Sequence, residues 1–205
     1  MSLASSSLWL RMLRQLPNML TWLRMAASPA LYATLWLNNE LGPWIAAALF
    51  GICAWTDVFD GWLARRLRAE STLGRVLDPI ADKILVITAL LVLVERNIIG
   101  EGVWVTQASL LAACIIVWRE LLIAGLREYL AGRSRGLPVT QWAKLKTILQ
   151  MFAITFLLAM PPLEHWLTGS WLVLHVLLWL AAALSAATGA AYVRDAVRQY
   201  RGGAS

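Results

Sequence analysis

Six apolar stretches, roughly 18–37, 44–64, 76–94, 103–127, 143–160 and 171–193, divide this chain. Each is close to the length, about 20 residues, that carries an α-helix across the hydrocarbon core of a bilayer. Short segments rich in Gly, Pro and polar residues lie between them: "NNELGP", "RRLRAESTLG", "ERNIIGEG", "AGRSRGLP" and "PPLEHWLTGS". With 60% of 205 residues hydrophobic, the chain is too apolar for an ordinary soluble domain. The sequence therefore predicts an all-α integral membrane fold with six transmembrane helices over 17–194. An interfacial segment over 1–16 precedes them, with Trp9, Met12, Leu13 and Leu16 on one helical face. A cytoplasmic tail over 195–205 follows.

The net charge of +6 sits at the ends of apolar runs, which argues against nucleic acid as a partner. Arg11, Arg14, Arg66, Arg68, Arg133, Arg135, Arg194, Arg198 and Arg201 fall on one side; the opposite loops hold Arg96 as their one basic residue. By the positive-inside rule both termini and the turn after the second stretch face the cytoplasm. Several of the 12 Trp lie near segment ends, as in an interfacial belt. Cys53 and Cys114 lie inside apolar runs and read as small buried hydrophobes. Arg11 and Arg14 interrupt the first apolar stretch, which does not read as a signal peptide.

The stretch "DVFDGWLARRLRAESTLGRVLDPIADK" places Asp57, Asp60, Asp78 and Asp82 at the ends of two membrane-type segments. Asp57, Asp60, Gly61, Ala64 and Arg65 share one helical stripe, and Gly74, Asp78 and Asp82 share another on the next helix. A short turn makes the two helices antiparallel, so the stripes can face each other. Each acid near the bilayer centre costs about 2.5–3.5 kcal/mol, and four together repel. A hydrated cleft holding divalent cations resolves both costs. Carboxylate oxygens suit Mg²⁺ or Mn²⁺, and a pair of such ions about 3.5–4 Å apart is a common device for phosphoryl transfer.

The spacing D-G-x2-A-R-x8-G-x3-D-x3-D runs without a departure from Asp60 to Asp82. It resembles the signature of the CDP-alcohol phosphatidyltransferase family. The resemblance implies six transmembrane helices, usually in a homodimer, and a metal site, with two Mg²⁺ or Mn²⁺ ions, at the cytoplasmic face of a bacterial inner membrane. It implies transfer of phosphatidyl from a CDP-linked lipid to an alcohol, with release of CMP. By position Asp57, Asp60, Asp78 and Asp82 are then metal ligands, and Asp82 is also the base for the acceptor hydroxyl. Gly61, Ala64, Arg65, Ser71 and Gly74, with Asn18 and Thr21 one helical turn apart, fall at the CDP-lipid.

"LPNMLTWLR", "VLDPIADKILV", "WRELLIAGLRE" and "WAKLKT" resemble bacterial members that pair CDP-diacylglycerol with sn-glycerol 3-phosphate. Arg119, Arg127, Lys144 and Lys146 fit such an acceptor, because it carries its own phosphate. Glu120 and Glu128 read as partners of these bases rather than substrate contacts. His165 and His175 read as structural. Inositol phosphate or phosphatidylglycerol as acceptor are the alternatives within this chemistry. A divalent-cation transporter is the alternative outside it, and would need acids or broken helices through the bilayer depth.

Overall fold

The computed structural model describes residues 19–37, 39, 41–67, 72–99, 104–131, 141–164 and 166–202. Side chains are described over the same residues except 57–67, 72–76, 131 and 199–202. The expected interfacial segment 1–16 lies outside them. Every regular element among the described residues is helical: α1 (19–33), α2 (Leu41–Leu67), α3 (Thr72–Glu95), α4 (Trp104–Ala131), α5 (Gln141–Leu158), α6 (Met160–Glu164) and α7 (Ser170–Gly202). The chain forms two compact units, Met1–Ala89 and Leu90–Ser205, and the division falls within α3.

In the first unit, α1 buries Thr21, Arg24, Ala27, Ser28 and Leu31, one stripe of the helix. Thr34 closes the helix: its hydroxyl donates to the Leu31 carbonyl at 2.7 Å, and the chain tightens into a 3-10 turn over Thr34–Trp36. The Asn39 side chain accepts from the Gly42 amide at 3.1 Å, meeting one orphan donor at the start of α2. Along α2, Ala46, Ala47, Phe50, Cys53 and Ala54 are buried, while Trp44, Ile45, Ile52 and Trp55 are exposed. A helix that is apolar on its outer face as well is solvated by lipid rather than water.

In the second unit, α4 and α5 both pack on α7. The buried stripe of α4 is Ser109, Ala112, Ala113, Ile116 and Ile123; that of α5 is Ala143, Lys146, Gln150, Ala153, Ile154 and Leu157. On α7, Leu178, Ala181, Ala182, Ser185, Thr188, Tyr192 and Ala196 are buried. Small residues at this seam let helix backbones approach without a side chain between them. Two helices, Trp104–Leu130 and Ser170–Arg198, are long and apolar enough to cross a membrane, and Leu41–Thr56 is a shorter apolar helix.

The predicted stretches each coincide with a helix, with two differences. The Pro-Pro stretch expected as a loop carries the single-turn helix α6, because proline fits a first helical turn, where the amide is unpaired anyway. Beyond 193, where the last span was expected to end, α7 continues to Gly202. Ala196 stays buried there while Arg194 and Arg198 are exposed, so the extension is amphipathic.

Side chains and two residues of positive φ, Asn97 and Gly169, seal the turns after α3 and before α7. Asn97 takes φ 55; its amide bonds the Val94 carbonyl and the Ile98 amide bonds the Leu93 carbonyl, each at 3.0 Å. This is a Schellman end with asparagine in the left-handed position. His175, wholly buried, meets the Ile98 carbonyl through Nε2 at 3.0 Å and the Trp171 carbonyl through Nδ1 at 2.6 Å, the structural role expected of it. The other histidine, His165, lies outside the described residues.

Glu164 accepts from the Gly169 amide at 2.8 Å, the Ser170 hydroxyl at 2.7 Å and the Trp171 amide at 3.3 Å. These bonds, the Gly169 amide first, hold its carboxyl below the ordinary value of 4.5. A lowered folded-state value means stability that is full above the unfolded pKa and is lost as pH falls through the folded one. The unfolding temperature in detergent of Glu164→Gln should therefore lie below that of the unsubstituted protein near pH 7, and the gap should close in acid. A gap of constant size down to about pH 3 would remove the charge from this account.

Candidate functional site

Two clusters of polar side chains stand out, one in each unit. In the first unit the successive turns of α3 that carry Asp78 and Asp82 put both carboxylates on one helical face. The Thr21 hydroxyl donates to Asp78 Oδ1. Arg24 Nη1 donates to Asp82 Oδ1 at 2.7 Å, with the Arg24 side chain only 3% exposed and that of Asp82 36%. Thr21 and Arg24 are themselves one turn apart on α1, so two donors of one helix meet two acceptors of another. The spacing of three on one helix matches the spacing of four on the other.

The hydroxyl of Thr21, the residue expected at the CDP-lipid, is bonded to the Asp78 carboxylate. Arg24 was not singled out by the sequence. An arginine one turn after Thr21, facing inward from an apolar helix, was the signal available.

The Asp57 and Asp60 backbones belong to α2, but their side chains lie outside those described, as do those of Gly61, Ala64, Arg65 and Gly74. Asn18 and Ser71 lie outside the described residues altogether. Among the described residues no three His, Cys, Asp or Glu side chains form a group able to hold a metal ion. Asp78 and Asp82 supply hard oxygen donors, the kind a Mg²⁺-like ion takes and a soft metal does not. The donor chemistry therefore fits the divalent metal that the resemblance implies.

The second cluster joins α4, α5 and α7. Lys146 Nζ is paired with Glu120 Oε1, and Arg119 Nη1 lies 3.6 Å from the same oxygen. Lys146 reaches this pair from the buried face of α5, with its side chain 3% exposed. Arg119 Nη2 donates to Thr188 Oγ1 at 3.4 Å, and its guanidinium stands 6.0 Å from the Tyr192 ring centroid. Arg127 Nη2 donates to Tyr192 Oη at 3.1 Å, its guanidinium 5.1 Å from the same ring. Arg119 Nε is buried without a hydrogen-bond partner among the described residues.

Of the four cations singled out in the sequence, Arg119, Arg127 and Lys146 thus gather around Glu120 and Tyr192. Lys144 does not: two residues from Lys146 is more than half a turn round the helix, and it is exposed. Glu120 pairs with bases as expected, while Glu128 is exposed. Thr188 and Tyr192 were missed. A threonine and a tyrosine on a mostly apolar helix carry no charge or motif to mark them.

The arrangement has a net chemistry. Two cations meet one carboxylate, a third stands on the Tyr192 ring, and among the described residues one guanidinium N–H is unmet. Such a cluster is suited to an anion of two charges, such as a phosphate monoester.

A family model described as CDP-alcohol phosphatidyltransferase matches residues 14–187. A protein of Rickettsia bellii named "CDP-diacylglycerol--glycerol-3-phosphate 3-phosphatidyltransferase" is 37% identical over 87% of this chain and 93% of its own length. Proteins with the same name from Rickettsia typhi and Cereibacter sphaeroides are each 35% identical, over 89% of this chain and 97% and 95% of their own lengths.

Proposed function

Because the chain belongs to the CDP-alcohol phosphatidyltransferase family, we propose that it transfers phosphatidyl from CDP-diacylglycerol to sn-glycerol 3-phosphate, forming phosphatidylglycerophosphate and CMP. The family supports the CDP-lipid half of this reading, and the relatives' names support the acceptor. The structural observation that carries the acceptor is that Arg119 and Lys146 meet one carboxylate, Glu120, while Arg127 shares the Tyr192 ring with Arg119. Two positive charges in excess match a phosphate monoester, and serine, choline or ethanolamine offers nothing for them to bind.

In this reading those three cations bind the acceptor phosphate, and Asp82 is assigned as the base for the acceptor hydroxyl by its motif position. Asp82 takes the hydroxyl proton, directly or through one water. The freed oxygen attacks the phosphorus that bears diacylglycerol, and the bond from that phosphorus to the CMP phosphate breaks. Arg24 orients the Asp82 carboxylate through its hydrogen bond, and Thr21 does the same for Asp78. Asp57, Asp60, Asp78 and Asp82 would hold a pair of divalent ions, Mg²⁺ or Mn²⁺, whose charge would neutralise the diphosphate. Gly61, Ala64, Arg65, Ser71, Gly74 and Asn18 are assigned to the CDP-lipid by their motif positions.

We read the membrane domain as six spans in a homodimer, with the site at the cytoplasmic face. The two long apolar helices and the bare apolar face of α2 support the membrane half of this reading. The deciding experiment supplies purified protein with CDP-diacylglycerol, Mg²⁺ and a panel of alcohols, and measures CMP. Release should need sn-glycerol 3-phosphate. Equal release with inositol phosphate or phosphatidylglycerol would sink the acceptor assignment, and no release with any alcohol would sink the transferase reading.

A further inference from the structure

Two cations of the second cluster rest on the part of α7 that lies beyond both the motif and the family match. The matched segment ends at residue 187; Thr188, Gly189 and Tyr192 follow it on the buried stripe of α7. A Cβ placed on Gly189 would lie 2.9 Å from Arg119 Cγ, 3.7 Å from its Nε and 3.9 Å from its Cδ. The space a side chain would take at 189 is therefore filled by the stem of Arg119. This differs from a glycine that admits a neighbouring backbone, because the nearest atoms all belong to one functional side chain. Gly125 on α4, by contrast, has nothing within 4 Å of the same constructed atom.

The neighbours of Gly189 direct the two guanidinium groups. Thr188 donates its own proton to the Leu184 and Ser185 carbonyls, at 2.8 and 3.1 Å, so its oxygen is left to accept from Arg119. Tyr192, 4% exposed, offers its ring to both arginines and its hydroxyl oxygen to Arg127. A ring face attracts a guanidinium without neutralising its charge, which a carboxylate in the same place would do.

We infer that Thr188, Gly189 and Tyr192 of α7 are positioning residues for the acceptor: they form a charge-free seat that fixes Arg119 and Arg127 and leaves their positive charge for the acceptor phosphate. The inference rests on the proposed acceptor, and gives α7 a part in selecting it. Gly189 is the residue on which the seat depends, since any side chain there lifts Arg119 out of place.

The test is a double-substitution cycle read in steady-state kinetics. Gly189→Ala should raise KM for sn-glycerol 3-phosphate about tenfold, a loss typical of one misplaced charged hydrogen bond, while KM for CDP-diacylglycerol stays within about twofold and Gly125→Ala changes neither. In an Arg119→Ala background, which has no Cγ to meet, Gly189→Ala should have no further effect. An equal effect of Gly189→Ala in both backgrounds would overturn the inference, because it would show that the glycine acts on helix packing. Should Gly189→Ala fail to fold, Tyr192→Phe in the presence and absence of Arg127 poses the same question: its effect on acceptor KM should vanish in Arg127→Ala, and persistence would overturn the seat. Failure of the underlying reading would appear instead in the unsubstituted enzyme, as CMP release without need of a phosphorylated acceptor.

Discussion

Asp82→Asn is expected to lower kcat by a factor of about 10²–10⁴, the range that loss of a positioned base produces, in a protein that remains folded. Asparagine keeps an oxygen able to accept from Arg24, so the link from α1 to α3 survives in weakened form. What it loses is the capacity to take a proton and the negative charge a divalent ion needs. The measurement is CMP release at saturating concentrations of both substrates, with the thermal unfolding curve in detergent as the control for folding. Excess Mg²⁺ should not restore the rate, because a higher metal concentration does not create a base. Turnover within about tenfold of the unsubstituted enzyme would remove Asp82 from the chemical step.

Lys146→Ala should act on the other substrate. The Lys146 ammonium is buried against Glu120, and truncating one member of a buried, hydrogen-bonded charge pair costs about 2–5 kcal/mol. If most of that appears in acceptor binding, KM for sn-glycerol 3-phosphate should rise about a hundredfold, while KM for CDP-diacylglycerol moves little. Part of the cost is structural, since Glu120 would then be left without its buried ammonium partner. Lys146→Met together with Glu120→Gln separates the two parts: it removes both charges, so stability should recover while acceptor binding stays weak. A rise confined to the lipid KM would assign Lys146 to the CDP-lipid instead.

Helix existence was legible because it needs only length and apolarity. The stretches at 44–64 and 76–94 fall within Leu41–Leu67 and Thr72–Glu95, since Gly, Pro and charged residues bracket them. The face of each helix was harder to read. In a soluble protein the polar side marks the outside, but Trp44 and Phe50 are equally apolar, and one is exposed while the other is buried. The partners of the polar residues were harder still. Arg24 and Asp82 are 58 positions apart, Arg119 and Thr188 are 69 apart, and no local pattern joins them. The charged residues Arg119, Arg127 and Lys146 announced themselves by their cost in an apolar setting. Thr188, Gly189 and Tyr192 did not, because each is an ordinary residue for packing one helix on another. Lys144 and Lys146 were grouped by charge alone, although two adjacent-but-one residues of a helix cannot share a face.

The hydrogen bond between Arg24 and Asp82 also has a consequence for how the protein is made. Arg24 belongs to α1, and the carboxylate it pairs with is synthesised 58 residues later. At about 5–20 residues per second that interval is roughly 3–12 s. Throughout it this hydrogen bond cannot form, and a guanidinium buried in lipid alone would cost several kcal/mol. The link between α1 and α3 is thus completed only when α3 arrives, and the order of synthesis becomes part of the order of assembly.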